Sequence, residues 1–173
     1  MGFNLKQRLG SEGDFTLSLS HEQVVDPRVR NGHSFDADPI APDVFTEQRN
    51  DNHQHRTELK ADLTQPFADM SKLKLGFDLA YDDNAYRNRG FEGLAASPDP
   101  TLTNLFDFRQ TISAAYATYE RPIGDLTVLT GLRVEDVRIN LDQATVGQTD
   151  QNDYLRAYPS LHLEHPALSL NRL

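Results

Sequence analysis

In the stretch "KLKLGFDLAYD", residues 72–82, apolar side chains fall on every second position: Leu73, Leu75, Phe77, Leu79 and Tyr81 oppose Lys74, Gly76, Asp78 and Asp82. A period of two sends alternate side chains to opposite faces, so this is the signature of a half-buried strand and not of a helix. "DFTLSLSHE" repeats it, with Phe15, Leu17 and Leu19 against Thr16, Ser18, Ser20 and Glu22. In "NHQHRTELKADL" the milder odd positions end in Leu59, Ala61 and Leu63, while Arg56, Glu58, Lys60 and Asp62 hold the even ones. "FDFRQTISAAYATY" reads as a face of Phe106, Phe108, Ile112, Ala114 and Tyr116 opposing Asp107, Arg109, Thr111 and Ser113. In "DLTVLTGLRVEDVRINLDQ", Leu126, Val128, Leu132 and Val134 oppose Thr127, Arg133 and Glu135. The phase then inverts at Val137, Ile139 and Leu141, and a bulge near Asp136 would account for it. "YLRAYPSLHLEH" sets Leu155, Ala157, Leu161 and Leu163 against Arg156, Ser160, His162 and Glu164, and "FNLKQRL" opens the chain with a weaker strand. The fold predicted is all-β, an antiparallel meander of about seven long strands.

Short and long connections alternate along the chain. "GSEGD", "TQPFADMSK" and "ERPIGD" carry the Gly, Pro and Asp of tight reversals. Residues 24–51 and 83–104, and the segment "DQATVGQTDQND", are long, polar and rich in Asp, Asn and Gly, as solvated loops are. Tight turns at one rim and long loops at the other describe part of a transmembrane β-barrel, whose strands are apolar outside and polar inside. Tyr81, Phe106, Phe108, Tyr119 and Tyr158, near strand ends, are candidates for its aromatic girdle. A soluble antiparallel β-sandwich acting as a binding module would show the same alternation, with shorter strands and a second layer over the apolar face.

Composition narrows the functions. Net charge is −9 and the basic residues are scattered, which argues against phosphate recognition and sets nucleic acid aside. Cysteine is absent, so there is no disulfide, thiolate metal site or cysteine nucleophile. No run of about 18 apolar residues offers a membrane helix, which leaves a membrane barrel open.

Candidate chemistry is sparse. His53 and His55 share a strand face and, with Asp51 or with His33 and Asp36, are the best metal candidates, the core of a third reading as a metal-dependent enzyme. A firm third ligand is missing, so neither metal nor cofactor is expected. Asp36, Asp38 and Asp43 lack calcium-loop spacing. Ser160, His162 and Glu164 lie in one row, which reads as a polar ladder and not as a triad, so no catalytic residue is expected. Arg109, Arg133, Glu135, Ser160, His162 and Glu164 are expected to face the barrel lumen.

"ISAAYATYERPIGDLTVLTGLRVEDVRINL" followed by "DYLRAYPSLHLEH" resembles the barrel of TonB-dependent outer-membrane receptors, in the branch called the outer-membrane protein β-barrel family. "LKADLTQPFADMSKLKLGFDLAYDDNAYRN" is similar to the preceding hairpin of that branch. The resemblance implies a non-enzymatic piece of a receptor barrel across 1–173, without the plug domain and the remaining strands. It implies residence in the outer membrane of a Gram-negative bacterium, with lipid around the wall. The long loops would meet a scarce small-molecule nutrient: an iron chelate, cobalamin or a glycan. A TonB-type energy-coupling partner would act through the missing plug.

Overall fold

The computed structural model describes residues 1–10, 12–34, 44–93 and 95–165. Seven strands run in chain order: β1 (Gly2–Leu9), β2 (Gly13–Ser34), β3 (Val44–Pro66), β4 (Lys72–Glu92), β5 (Ser97–Ile123), β6 (Leu126–Gln143) and β7 (Gln148–Glu164). All pair antiparallel with their sequence neighbours in one sheet of order β1 to β7, as the alternating pattern predicts, and β1 and β7 are its open edges.

Register converts the pattern into two faces. Leu5, Leu17, Ala61, Phe77, Ala115, Val134 and Ala157 stand directly opposite one another across all seven strands. The adjacent row on the other face is Lys6, Thr16, Asp62, Gly76, Tyr116, Arg133 and Tyr158. On β4 the apolar face runs without a break from Leu73 to Tyr81, nine residues, the length that crosses a bilayer as a tilted strand.

Among the described residues no second layer covers either face. Among them only Ala80, Ala114 and Val137 are buried hydrophobic residues, whereas Leu19, Phe77, Leu132 and Leu161 are 41–63% exposed. The surface is 12540 Å², while a folded soluble monomer of this mass exposes about 8,500 Å². A sandwich would have buried the difference.

The connections at the Pro-rich end are tight. Gly124 turns at φ 60° in a two-residue β5–β6 turn with Asp125, a conformation glycine adopts without Cβ strain. Between β3 and β4, Ser71 is buried and donates to Asp69 from its amide at 3.1 Å and its hydroxyl at 2.5 Å. The hydroxyl, then the amide, hold the Asp69 carboxyl below the usual carboxylate range. A lowered folded value means that this turn is supported above the unfolded carboxylate value and loses support as pH falls through the folded one. Ser71→Ala should therefore raise the Asp69 titration midpoint toward an ordinary aspartate, read by NMR of the side-chain carboxyl.

At the other rim the described parts of the long segments are ribbon, not coil, and residues 35–43 of the segment 24–51 lie outside the described residues. β2 and β3 remain paired up to Ser34 and Val44, and β4 and β5 up to Glu92 and Ser97. These strands have 21 to 27 residues, so each extends about ten or more beyond the apolar band, roughly 35 Å of two-stranded ribbon. Their apolar alternation stops at the band because beyond it both faces meet water. Ion pairs such as Arg28 with Asp26 at 2.7 Å and Arg87 with Asp107 at 2.5 Å line the ribbons. The expected bulge at Asp136 is absent: β6 keeps unbroken register with β5 and β7, and the irregularity lies instead at Asn88/Gly90. The inversion at Val137 is real, because it turns apolar residues onto the other face.

Candidate functional site: the polar face of the sheet

The polar face is built row by row. Tyr116 on β5 passes its ring over Gly76 on β4 and donates its hydroxyl to Asp62 on β3, two strands away. A Cβ on Gly76 would lie 2.1 Å from the ring, so only glycine leaves the path clear. Arg133, opposite Tyr116 on β6, donates from Nε to Glu135 at 2.5 Å, brings Nη2 to 4.0 Å from Asp78, and holds its guanidinium 6.0 Å from the Tyr116 ring centroid. The other Asp78 oxygen, Oδ1, is buried without a hydrogen bond among the described residues. Toward the ribbons, Glu58 bridges Arg56 at 2.6 Å and Lys60 at 3.3 Å, and Arg56 reaches Asp82 at 3.4 Å. Most of these charges pair with an opposite charge two residues along the same strand, and Arg56 with Asp82 and Arg133 with Asp78 carry the pairing between strands.

Beyond this cluster the polar face turns apolar. Ile112, Val137 and Ile139 lie on it, with Phe108 and Leu141, and Tyr86 stacks on Phe106 at 6.1 Å. The face therefore offers charge at one level and aromatic surface at the next, a combination that can hold an amphipathic small molecule by ion pairing and stacking.

Arg133, Glu135, Ser160, His162 and Glu164 share this face. Arg109 does not: its register partners are Asp83 and Asn140, it pairs with Asp83 at 3.6 Å, and it stands on the face of Phe77 beyond Tyr81. β5 has apolar residues on both faces, so its own period cannot choose between them, and the pairing with Leu75 and Phe77 puts Ala115, Ala117 and Tyr119 on the apolar side. The same choice moves Phe106 and Phe108 out of the expected girdle, and Tyr158 leaves it by pairing with Arg133 on the polar face. Tyr81 and Tyr119 stay on the apolar face, 41% and 38% exposed.

Ser160, His162 and Glu164 lie along the edge strand with no hydrogen bond joining them among the described residues. His53 binds Asp51 at 3.0 Å, and among the described residues no group of three or more His, Asp or Glu side chains is placed to hold a metal. Asp36, Asp38 and Asp43 lie outside the described residues. Asp62, Gly76 and Tyr116 escaped the sequence-based choice of functional residues. The lone Gly76 inside an otherwise unbroken strand pattern was the available sign of a close approach.

A model described as the outer membrane protein beta-barrel family matches residues 6–172. No curated protein matches the chain. Among solved structures, the ferric citrate transporter FecA in its unliganded form superposes with a TM-score of 0.60 at 15% identity, covering 95% of this chain and 24% of that one. FpvA of P. aeruginosa, bound to heterologous pyoverdines, gives 0.62 at 15% identity, with 94% and 24% covered. The ferric yersiniabactin uptake receptor FyuA from Yersinia pestis gives 0.54 at 12%, with 94% and 24% covered. The chain thus spans about a quarter of the length of these structures. At such identities the likeness establishes the fold.

Proposed function

Because this chain belongs to the outer membrane protein β-barrel family, we propose that it forms a sector of the wall of a TonB-dependent receptor that imports a scarce nutrient. The face of Phe77 meets the hydrocarbon of the outer membrane of a Gram-negative bacterium. The face of Arg133 meets the lumen, with Glu135, Ser160, His162 and Glu164 beside it. The ribbons of β2–β3 and β4–β5 stand outside the cell, where an iron chelate, cobalamin or a glycan is captured. Structural neighbours named for ferric citrate, pyoverdines and ferric yersiniabactin favour the iron chelate. Energy comes through a TonB-type partner acting on a plug domain, and the wall itself is no enzyme.

The observation that carries this reading is the row of seven apolar residues from Leu5 to Ala157 lying back to back with the polar row from Lys6 to Tyr158, with no layer over either among the described residues. Hydrocarbon on one side and water on the other satisfies both rows, and a soluble sheet satisfies only one. The test is partitioning between buffer and detergent micelles, with circular dichroism of each fraction. A strong β signal only in micelles is expected; a cooperatively folded monomer in plain buffer would overturn the proposal.

A further inference from the structure

On the apolar face, just beyond the hydrocarbon band, His21 on β2 and His55 on β3 bring their rings together at 6.1 Å between centroids, 28° apart in plane. His21 stands directly opposite Thr57, in the same row as Tyr81, and His55 is the next residue of that face along β3. The His21 Nδ1 is hydrogen-bonded to the Thr57 hydroxyl at 2.9 Å. That bond fixes the ring and leaves Nε2 as the nitrogen available for another partner. The His55 ring makes no hydrogen bond among the described residues. His21 is exposed and His55 half-buried, so both are open to solutes.

We propose that His21 and His55 form a two-imidazole site for one divalent transition ion of the kind that imidazole favours, Zn²⁺ or Cu²⁺. Two imidazoles bound to one ion at about 2.0 Å from each nitrogen place their ring centres at most twice the sum of that bond and the ring radius apart, and closer when the angle at the metal is tetrahedral. The observed separation lies near the wide end of that range, and the rings, now stacked, must turn about their side-chain torsions to aim one nitrogen each at a shared ion. Thr57 serves as the orienting partner of one ligand, the role that an outer hydrogen bond plays in metal-binding histidines. Asp83 stands opposite His55 on β4 and adds negative charge nearby, although it is turned toward Arg109 at 3.6 Å. No third His, Asp or Glu converges with the pair among the described residues, so water completes the coordination. His53, two residues from His55 on the same face, is tied to Asp51 and is not part of the site. The site is separate from the polar face and does not rest on the nutrient-uptake reading.

The test is calorimetric titration of Zn²⁺ into the full chain, prepared without a polyhistidine tag and folded in zwitterionic micelles, with electron paramagnetic resonance of the Cu²⁺ form. One ion per chain is expected, with two nitrogen ligands on Cu²⁺. His21→Gln and His55→Gln should each weaken binding at least ~10-fold. Thr57→Val, which keeps both ligands but loses the orienting bond, should weaken it about 10-fold. His53→Gln should leave it unchanged, and circular dichroism confirms that each variant keeps its strands. Absence of saturable binding, binding that survives loss of either histidine, or an equal loss in His53→Gln would overturn the proposal.

Discussion

Phe77→Arg should lower the stability of the micelle-folded chain by about 2–4 kcal/mol through its charge alone, read as a shift of the urea unfolding midpoint. Phe77 occupies the middle of the nine-residue apolar run and lies between Ala61 and Ala115, whose small side chains leave its ring 41% exposed on the apolar face. Arginine there must either strip its hydration or drag water and headgroups inward. The control is Thr16→Arg, on β2 at the same level but on the other face and opposite Asp62. With water on that side, the new guanidinium keeps its hydration and meets a carboxylate, so a change within about 0.5 kcal/mol is expected, as for ordinary surface substitutions. If Phe77→Arg were the neutral change and Thr16→Arg the damaging one, the two faces would have to be exchanged. Equal tolerance of both would mean that neither face contacts hydrocarbon.

The assignment behind that prediction was legible in the sequence wherever one face is strictly apolar. "LKLGFDLAY" allows one orientation, because a one-residue slip would put Lys74 and Asp78 into lipid. β5 allows two, because Ile112 and Ala114 compete with Ala115 and Ala117, and only the pairing with β4 decides. That pairing sets Arg109 on the face of Ala115 and Phe77. Strand ends were hidden for a different reason. Period two reports a difference in environment between faces, and beyond Tyr81 that difference disappears while backbone pairing continues. Residues 83–92 and 97–104 are therefore ribbon with the composition of loop. The inversion at Val137 suggested a bulge because apolar side chains were expected on one face alone. The structure shows apolar residues from β4, β5 and β6 gathered at that level of the polar face, which no single strand reveals.

Gly76 and Tyr116 should behave as one unit, and a double-mutant cycle measures it. In the native sheet the Tyr116 ring fills the space over Gly76 to reach Asp62, so Gly76→Ala forces the ring aside and breaks the bond to Asp62. The ring is the end of a flexible side chain, and the backbone itself need not move; the cost is then mainly that of a polar group left without its partner, about 1–3 kcal/mol. Tyr116→Ala removes the same bond directly. Once the ring is gone, the three atoms nearest the Cβ at position 76 are gone with it, and alanine costs the chain less conformational entropy than glycine in a strand. Gly76→Ala should therefore be destabilising in the native background and neutral to stabilising in the Tyr116→Ala background, a coupling of at least about 1 kcal/mol. Tyr116→Phe separates the two components: it keeps the ring over Gly76 but leaves Asp62 without the hydroxyl. Additive effects of Gly76→Ala and Tyr116→Ala would show that the ring does not rest on Gly76 in the folded wall. A large coupling would establish that three strands are tied together across β4 by a single side chain. Arg133 lies next in that row, so a charge-bearing ligand or protein segment approaching the polar face would meet a guanidinium whose neighbours Tyr116, Glu135 and Asp78 are already held in place.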